Sequence, residues 1–156
     1  MKFKFIWVGR TRTGYLAEGI EDYLKRIKRY VQVEVKEVKE EKIKNIPVAA
    51  LKAREAERIK TAFKRGEFLI ALDERGRQFS TTSLAHFLKK LPAQGYKTLT
   101  FFLGGPLGLT PELLKQAHLC LSLSSLTLTH EMARLVLLEQ LYRILTIWHG
   151  ERYHKN

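Results

Sequence analysis

The sequence predicts an α/β fold, an open and mostly parallel sheet with helices on both faces, and three observations carry that prediction. Apolar runs with the period of a strand alternate with stretches of helical period along the whole 156-residue chain, which is the order that βα units impose. Two of the strand-like runs, Phe68 to Leu72 and Leu99 to Leu103, are almost continuously apolar, as strands covered on both faces are. A glycine-rich turn, Gly104-Gly105-Pro106-Leu107-Gly108, follows the second of them and opens into a helix. Open α/β sheets bind their ligands at that place, the carboxyl ends of the strands.

Each element has its own justification. Phe3, Phe5 and Trp7 alternate with Lys4, Ile6 and Val8 in a mostly buried first strand, broken at Gly9-Arg10-Thr11. Leu16, Ile20, Tyr23, Leu24 and Ile27 then recur at helical spacing. Val31, Val33 and Val35 alternate with Gln32, Glu34 and Lys36 in a half-exposed second strand, and Leu51, Ile59, Ala62 and Phe63 mark a polar helix before Gly66. Phe68 to Leu72 is the third strand. Ser80, Thr81 and Thr82 are candidate N-caps for a helix carrying Leu84, Phe87, Leu88 and Leu91, stopped by Pro92. Leu99 to Leu103 is the fourth strand, and Thr110-Pro111-Glu112 then combines a capping hydroxyl, a proline at the first helical position and a carboxylate at the positive end of the dipole.

That helix is short, ending near His118; Leu119 to Leu128 reads as a fifth strand running into a loop, and His130 to His149 as a long closing helix. Leu135, Val136, Leu137, Leu138, Leu141, Ile144, Leu145 and Ile147 make the closing helix apolar on more than one side, a surplus that predicts a second copy of the chain and so a homodimer. No linker or repeat divides the chain, so residues 1–156 read as one domain.

Composition bounds the function. The formal net charge is +12 and uneven, with 18 Lys/Arg against 9 Asp/Glu in residues 1–65 and 10 against 7 in the rest. Lys25, Arg26, Lys28 and Arg29, with Lys36, Lys39, Lys42 and Lys44 downstream, predict a polyanionic partner such as RNA. The interleaved Glu34, Glu37, Glu40 and Glu41 fit a solvated, salt-bridged face as well. No apolar run approaches the roughly 20 residues of a membrane span, and Met1-Lys2-Phe3-Lys4 leads into a strand rather than a signal peptide, so a cytoplasmic protein is expected. The single cysteine, Cys120, is expected as a buried strand residue; it excludes a disulfide framework, and the histidines lack metal-ligand spacing, so no metal is expected.

The glycine turn by itself fits a plain strand-to-helix connection or a loop whose bare backbone approaches a ligand. It is not a dinucleotide fingerprint, because the spacing differs and no acidic residue follows on Leu119 to Leu128. It is not a Walker loop either, because no Gly-Lys-Ser/Thr closes it. One helix later, Ser122 to His130 interleaves small polar and apolar residues that would form an opposite wall.

The strand Leu99 to Leu103 with its glycine turn, the run Leu121-Ser122-Leu123-Ser124-Ser125-Leu126-Thr127-Leu128 with His130 and Arg134, and the terminal Tyr153-His154-Lys155 together resemble the SPOUT, or α/β-knot, RNA methyltransferases. The likeness runs from Met1 to the tail, including Val8-Gly9 and Leu72-Asp73-Glu74-Arg75-Gly76, and is strongest to single-domain bacterial members that act on large-subunit ribosomal RNA. It implies a C-terminal deep trefoil knot, a homodimer, and S-adenosylmethionine as cofactor, with S-adenosylhomocysteine as product and no metal. It further implies methylation of N3 of a pseudouridine in 23S ribosomal RNA on the assembled ribosome. Carried over by position, Leu72, Leu103, Gly104, Gly105 and Gly108 line one side of the cofactor, and Leu121, Ser122, Leu123, Ser124, Ser125, Leu126 and Leu128 enclose the other. Leu107 departs from relatives that often carry an acidic residue there.

The acceptor is an imide nitrogen whose proton must leave, so a base, or cations that favour the anion, assist transfer. The tail Arg152-Tyr153-His154-Lys155 supplies an imidazole and two cations. With the family's matching tail, His154, Tyr153 and Arg143 are the candidate catalytic residues, and Lys25, Arg26, Lys28, Arg29, Arg152 and Lys155 the RNA-binding ones. Arg143, on the closing helix, is open to being supplied by the partner subunit. His130 is expected to cap or pack at the start of the closing helix, and Arg134 to hold an anionic group or a surface salt bridge. Two other readings stand beside this one: a non-enzymatic ribosome-associated RNA-binding module, and a methyltransferase of the same family acting on tRNA.

Overall fold

The computed structural model describes residues 1–42 and 45–155. Five strands alternate with five helices: β1 (Lys2–Val8), α1 (Gly14–Ile27), β2 (Gln32–Val38), α2 (Val48–Thr61), β3 (Phe68–Gln78), α3 (Thr81–Lys89), β4 (Thr98–Leu103), α4 (Pro111–Gln116), β5 (Leu119–Ser122) and α5 (His130–Trp148). All strand pairs are parallel, in the order β2-β1-β4-β3-β5. The alternation of side chains across the sheet divides the core in two. Phe3, Phe5, Trp7, Ile70, Leu99 and Phe101 pack under α1, α3 and α5, whereas Ile6, Val8, Ala71 and Phe102 pack under α2 and α4. Every side chain of β1 from Phe3 to Val8 is buried; Lys4, only 2% exposed, achieves this by donating to both Glu67 oxygens at 3.1 and 3.2 Å.

The caps act as their residue types dictate. Ser80 Oγ accepts from the Ser83 N–H at 3.1 Å and Thr110 Oγ1 from the Leu113 N–H at 3.2 Å. Two elements differ from the periodicity. Strand β5 stops at Ser122 instead of continuing to Leu128, because the serines capture the ladder's partners: Ser122 Oγ donates to Ser124 O at 3.0 Å and Ser124 Oγ accepts from Leu126 N–H at 3.0 Å. Strand β3 runs past Leu72 to Gln78 with an irregularity, so that both Leu72 and Arg77 face Leu121. At the crossing, a Cβ on Gly76 would lie 2.6 Å from Cys120 O, so the end of β3 and the last strand pass backbone against backbone.

Helix α5 also corrects an expectation. Leu137, Leu138, Leu141, Ile144 and Leu145 are all completely buried in the protomer, against α1, α3 and the sheet, leaving Leu135, Val136 and Ile147 half-buried. The apolar surplus of α5 is therefore mostly spent inside one chain, and a dimer needs other support. Cys120 is half-buried on β5 rather than fully buried, and burial followed by the nearby Asp73 pushes its thiol up. Among the described residues, no helix is long and apolar enough to cross a membrane.

Candidate functional site

The carboxyl ends of β3, β4 and β5 open into a cavity of about 580 Å³, within the range of small-molecule sites. Leu72 ends the regular part of β3, and Leu103 with Gly104, Gly105 and Gly108 continues β4. Leu121, Leu123, Ser124, Leu126 and Leu128 form the facing wall, so ten of the expected cofactor residues share one cavity. Ser122 is buried behind that wall and Ser125 is exposed; neither lines it.

The three glycines differ in why they must be glycines. A Cβ on Gly104 would meet Gly108 C, O and Cα at 2.6, 2.7 and 2.9 Å, so the loop folds back onto residue 104 itself. Gly108 has open space around it but a φ of 76°, a left-handed conformation that costs other residues roughly 1 kcal/mol or more. A Cβ on Gly105 would face Val8 at 3.2 Å and Glu55 Oε1 at 3.8 Å. A side chain there therefore points toward β1 and α2. Glu55 is 2% exposed, and burial raises its carboxyl against the hydrogen bond it accepts from Glu41 N–H at 3.0 Å.

Four charged residues that periodicity does not mark add to the lining. Lys52 reaches the cavity from α2, while Asp73, Glu74 and Arg75 come from the segment after Leu72. Glu74 Oε2 accepts from Thr127 Oγ1 at 2.7 Å and so ties the two walls together. Burial tends to raise the Asp73 carboxyl, but hydrogen bonds from the Arg75 guanidinium and N–H prevail and hold it below the usual carboxylate range. The family-like run Leu72-Asp73-Glu74-Arg75-Gly76 was the available signal for three of these; a lysine on a polar helix offers none.

The N-cap of α5 is Thr129, whose Oγ1 accepts from Met132 N–H at 3.2 Å. His130 is the first helical residue and lines the cavity; burial, then the Arg134 guanidinium, pushes its imidazole down, opposed by Glu131 and Glu40. Arg134 is no surface group. It is fully buried, donating to Val8 O at 2.5 Å and Thr11 Oγ1 at 3.0 Å with its guanidinium 5.1 Å from the Trp7 ring. Glu131 accepts from the N–H groups of Arg12 and Thr13 at 3.2 and 3.0 Å. Together the two side chains fasten the β1–α1 turn to the start of α5, beside the cavity.

The tail lies elsewhere. Tyr153 packs beside Tyr23, Glu139, Tyr142 and Arg143, and His154 is half-buried next to it, whereas Arg152 and Lys155 are exposed. Glu139 is nine residues beyond His130 on α5, a rise of roughly 14 Å. The structure thus brings Arg143 and Tyr153 together but places neither them nor His154 in the cavity of the same protomer.

The basic cluster is split. Arg26 pairs with Asp22 at 3.1 Å and lies 5.3 and 5.4 Å from the Tyr23 and Tyr142 rings. Lys25, Lys28 and Arg29 are exposed with no carboxylate within salt-bridge distance among the described residues. Lys28 and Arg29 line a shallow groove with Lys2, Tyr30 and Lys97 at the amino ends of the strands, the end of the sheet opposite the cavity. Of the interleaved glutamates, Glu34, Glu40 and Glu41 pair with Lys2, Arg12 and Arg58, not with Lys36, Lys39 or Lys42; Lys44 lies outside the described residues.

The family model described as Predicted SPOUT methyltransferase matches residues 1–154. Relatives named Ribosomal RNA large subunit methyltransferase H include one from Syntrophotalea carbinolica, 45% identical over 154 residues, and one from Geobacter metallireducens, 40% identical over 154 residues; each alignment covers 99% of both chains. Among solved structures, a probable methylase family protein from Haemophilus influenzae shares the fold at a TM-score of 0.55 and 18% identity, covering 99% of this chain and 70% of that one. A probable methyltransferase from Bordetella pertussis does so at 0.54 and 15%, covering 92% and 95%.

Proposed function

The chain belongs to the SPOUT methyltransferase family, and from that premise we propose that it methylates N3 of a pseudouridine in 23S ribosomal RNA, using S-adenosylmethionine and acting as a homodimer whose single domain spans residues 1–156. The observation that carries the reading is the cavity behind Gly104. Its glycine loop exposes main chain where a side chain would collide with the loop's own backbone, and its leucines give an apolar slot with charged residues, Lys52, Asp73 and Arg75, at the rim. That donor set fits a cofactor with a flat apolar base at one end and a zwitterionic amino acid at the other. Leu103, Gly104, Gly108, Leu121 and Leu126 would hold the base and sugar, and the rim the charged end. When bound, S-adenosylmethionine supplies a methyl group on a cationic sulfur for in-line displacement.

The protein's own work is alignment and proton removal. His154 takes the N3 proton while Arg152 and Lys155 favour the imide anion and hold nearby phosphate. Since the tail docks about two and a half turns along α5 from its own cavity, it serves the cavity of a second copy packed two-fold against it. The full-length similarity to proteins named for the large ribosomal subunit supports ribosomal RNA over tRNA as the substrate. The backbone cradle, which a pure RNA-binding module would not need, favours an enzyme.

Calorimetric titration with S-adenosylmethionine should show binding, and mass mapping of 23S ribosomal RNA from ribosomes lacking the modification should show one added methyl after incubation with the protein and cofactor. No heat of binding would return the chain to the RNA-module reading; a methyl on tRNA alone would replace the substrate. Reversal of Lys25, Lys28 and Arg29 to glutamate should leave cofactor affinity unchanged. It should weaken ribosome association and flatten its dependence on log salt by about 0.7–0.9 for each phosphate that is no longer neutralised. An unchanged salt slope would make that cluster a solvated face only.

A further inference from the structure

The carboxyl-terminal segment is held by its own protomer through contacts that methyl transfer does not require. Helix α5 ends where Gly150 turns left-handed at φ 68°. Gly150 N–H donates to Ile147 O at 3.2 Å and Glu151 N–H to Thr146 O at 2.9 Å, a reversal of the Schellman kind that sends the chain back along the helix. Glu151 then accepts from the Tyr30 hydroxyl at 2.7 Å. Two residues later the Tyr153 hydroxyl lies 3.1 Å from the Tyr23 hydroxyl and donates to Glu139 Oε1 at 3.2 Å. Its ring meets Tyr142 edge-on at 4.7 Å, and the Arg143 guanidinium sits 4.7 Å from the ring centre. Arg143 is in turn fixed by Glu139, at 3.1 and 2.5 Å.

We propose that Tyr23, Glu139 and Tyr153 form a latch that preorders the tail and so positions His154, which makes Tyr153 and Arg143 positioning residues rather than groups that touch the acceptor base. The inference rests on the reading above, that the tail completes the methyl-transfer site. A terminal segment left free loses backbone entropy when it is ordered, and a latched one has lost it before the substrate arrives. The chemistry of the contacts agrees with that role. Burial, then the hydrogen bond to Tyr23, pushes the Tyr153 phenol up, so it stays a neutral donor. Tyr30 is pushed up to about 12, chiefly by its bond to Glu151, and likewise stays a donor. The Arg143 charge is already answered by Glu139. His154, by contrast, is half-buried with an Nδ1 that has no hydrogen-bond partner among the described residues. The latch therefore uses up the hydrogen-bonding capacity of its own members and leaves the imidazole's free.

The test uses the full-length Tyr23→Phe/Glu139→Gln double variant, which keeps ring and shape while removing a hydroxyl and a charge. Trypsin cleavage after Arg152 releases Tyr153 to Asn156 and can be followed by intact mass. The latch predicts release about four- to hundredfold faster in the variant, at roughly two- to tenfold for each of the two weakened hydrogen bonds. Single-turnover methyl transfer should fall by a similar factor, with S-adenosylmethionine affinity unchanged and the pH profile keeping its shape. Restoring Glu139 alone should recover part of both the protection and the rate. Equal release from variant and wild type would overturn the latch whatever the activity does. Faster release with undiminished methyl transfer would overturn the positioning role. Failure of the underlying reading has a different signature: faster release, together with a His154→Ala protein that methylates at the full rate.

Discussion

Gly104→Ala is expected to lower S-adenosylmethionine affinity by about 100-fold or more, equivalent to about 2.7 kcal/mol, in a protein that remains folded. The added methyl carbon would sit 2.6 Å from Gly108 C and 2.7 Å from its O, and these are backbone atoms that cannot swing aside as a side-chain end would. The loop from Gly105 to Leu109 must move as a unit, and it carries one wall of the cavity with it. The sheet need not follow, since Leu103 and the strand before it are held by β1 and β3; overpacking at one loop position costs about 1–3 kcal/mol of stability. Gly108→Ala is the matched comparison. It adds no collision, only the cost of its positive φ, so its loss of affinity should be several-fold smaller. Calorimetry on both variants, with circular dichroism melts, decides the point. If Gly104→Ala binds as tightly as wild type, the cavity is not the cofactor site.

His154→Ala, or removal of Tyr153 to Asn156, should reduce methyl transfer by about 100-fold or more, the size of a general-base contribution, while cofactor affinity stays within about twofold. With His154 as the base, the pH profile of the single-turnover rate differs in shape between the wild type and the Ala variant. The geometry adds a stronger requirement. Tyr153 is bound beside Glu139 and Tyr23, away from the cavity that begins at His130, so under the proposed reading the tail would serve the cavity of a second copy. Mixing His154→Ala with Gly104→Ala protein should then restore activity to about a quarter of wild type, since random pairing makes half the dimers mixed and each has one intact composite site. No recovery after subunit exchange would place the tail in cis, and full activity in the truncated protein would remove it from the chemistry.

The parts of the fold and site that were legible in the residues are those whose cause is local. A strand with Phe3, Phe5 and Trp7 on one face and Ile6 and Val8 on the other belongs inside a sheet wherever it pairs. Ser80 and Thr110 cap helices through hydrogen bonds three residues long, whereas at the closing helix the cap is Thr129 and not the expected His130. The glycine loop was legible for the same reason, because a fold-back from Gly104 to Gly108 is closed within five residues. Where local signals competed, periodicity misled: Leu119 to Leu128 alternates like a strand, but Ser122 and Ser124 turn the chain by bonding their own backbone.

Periodicity and turn residues by themselves determined that this chain is an α/β protein with a glycine loop at the carboxyl end of its fourth strand, because burial and turn chemistry act between near neighbours. Tertiary structure alone decided the strand order and which distant groups meet. Lys52 and Glu74 reach the cavity only because α2 and the end of β3 flank the glycine loop. Arg134 is a buried clamp on Val8 and Thr11, more than 120 residues away in sequence, where an isolated arginine on a helix reads as solvated. The tail is a latched segment rather than a loose end because Gly150 turns it onto Tyr23 and Glu139. Contacts of that span depend on how the sheet is ordered, and no pattern of neighbouring residues encodes them.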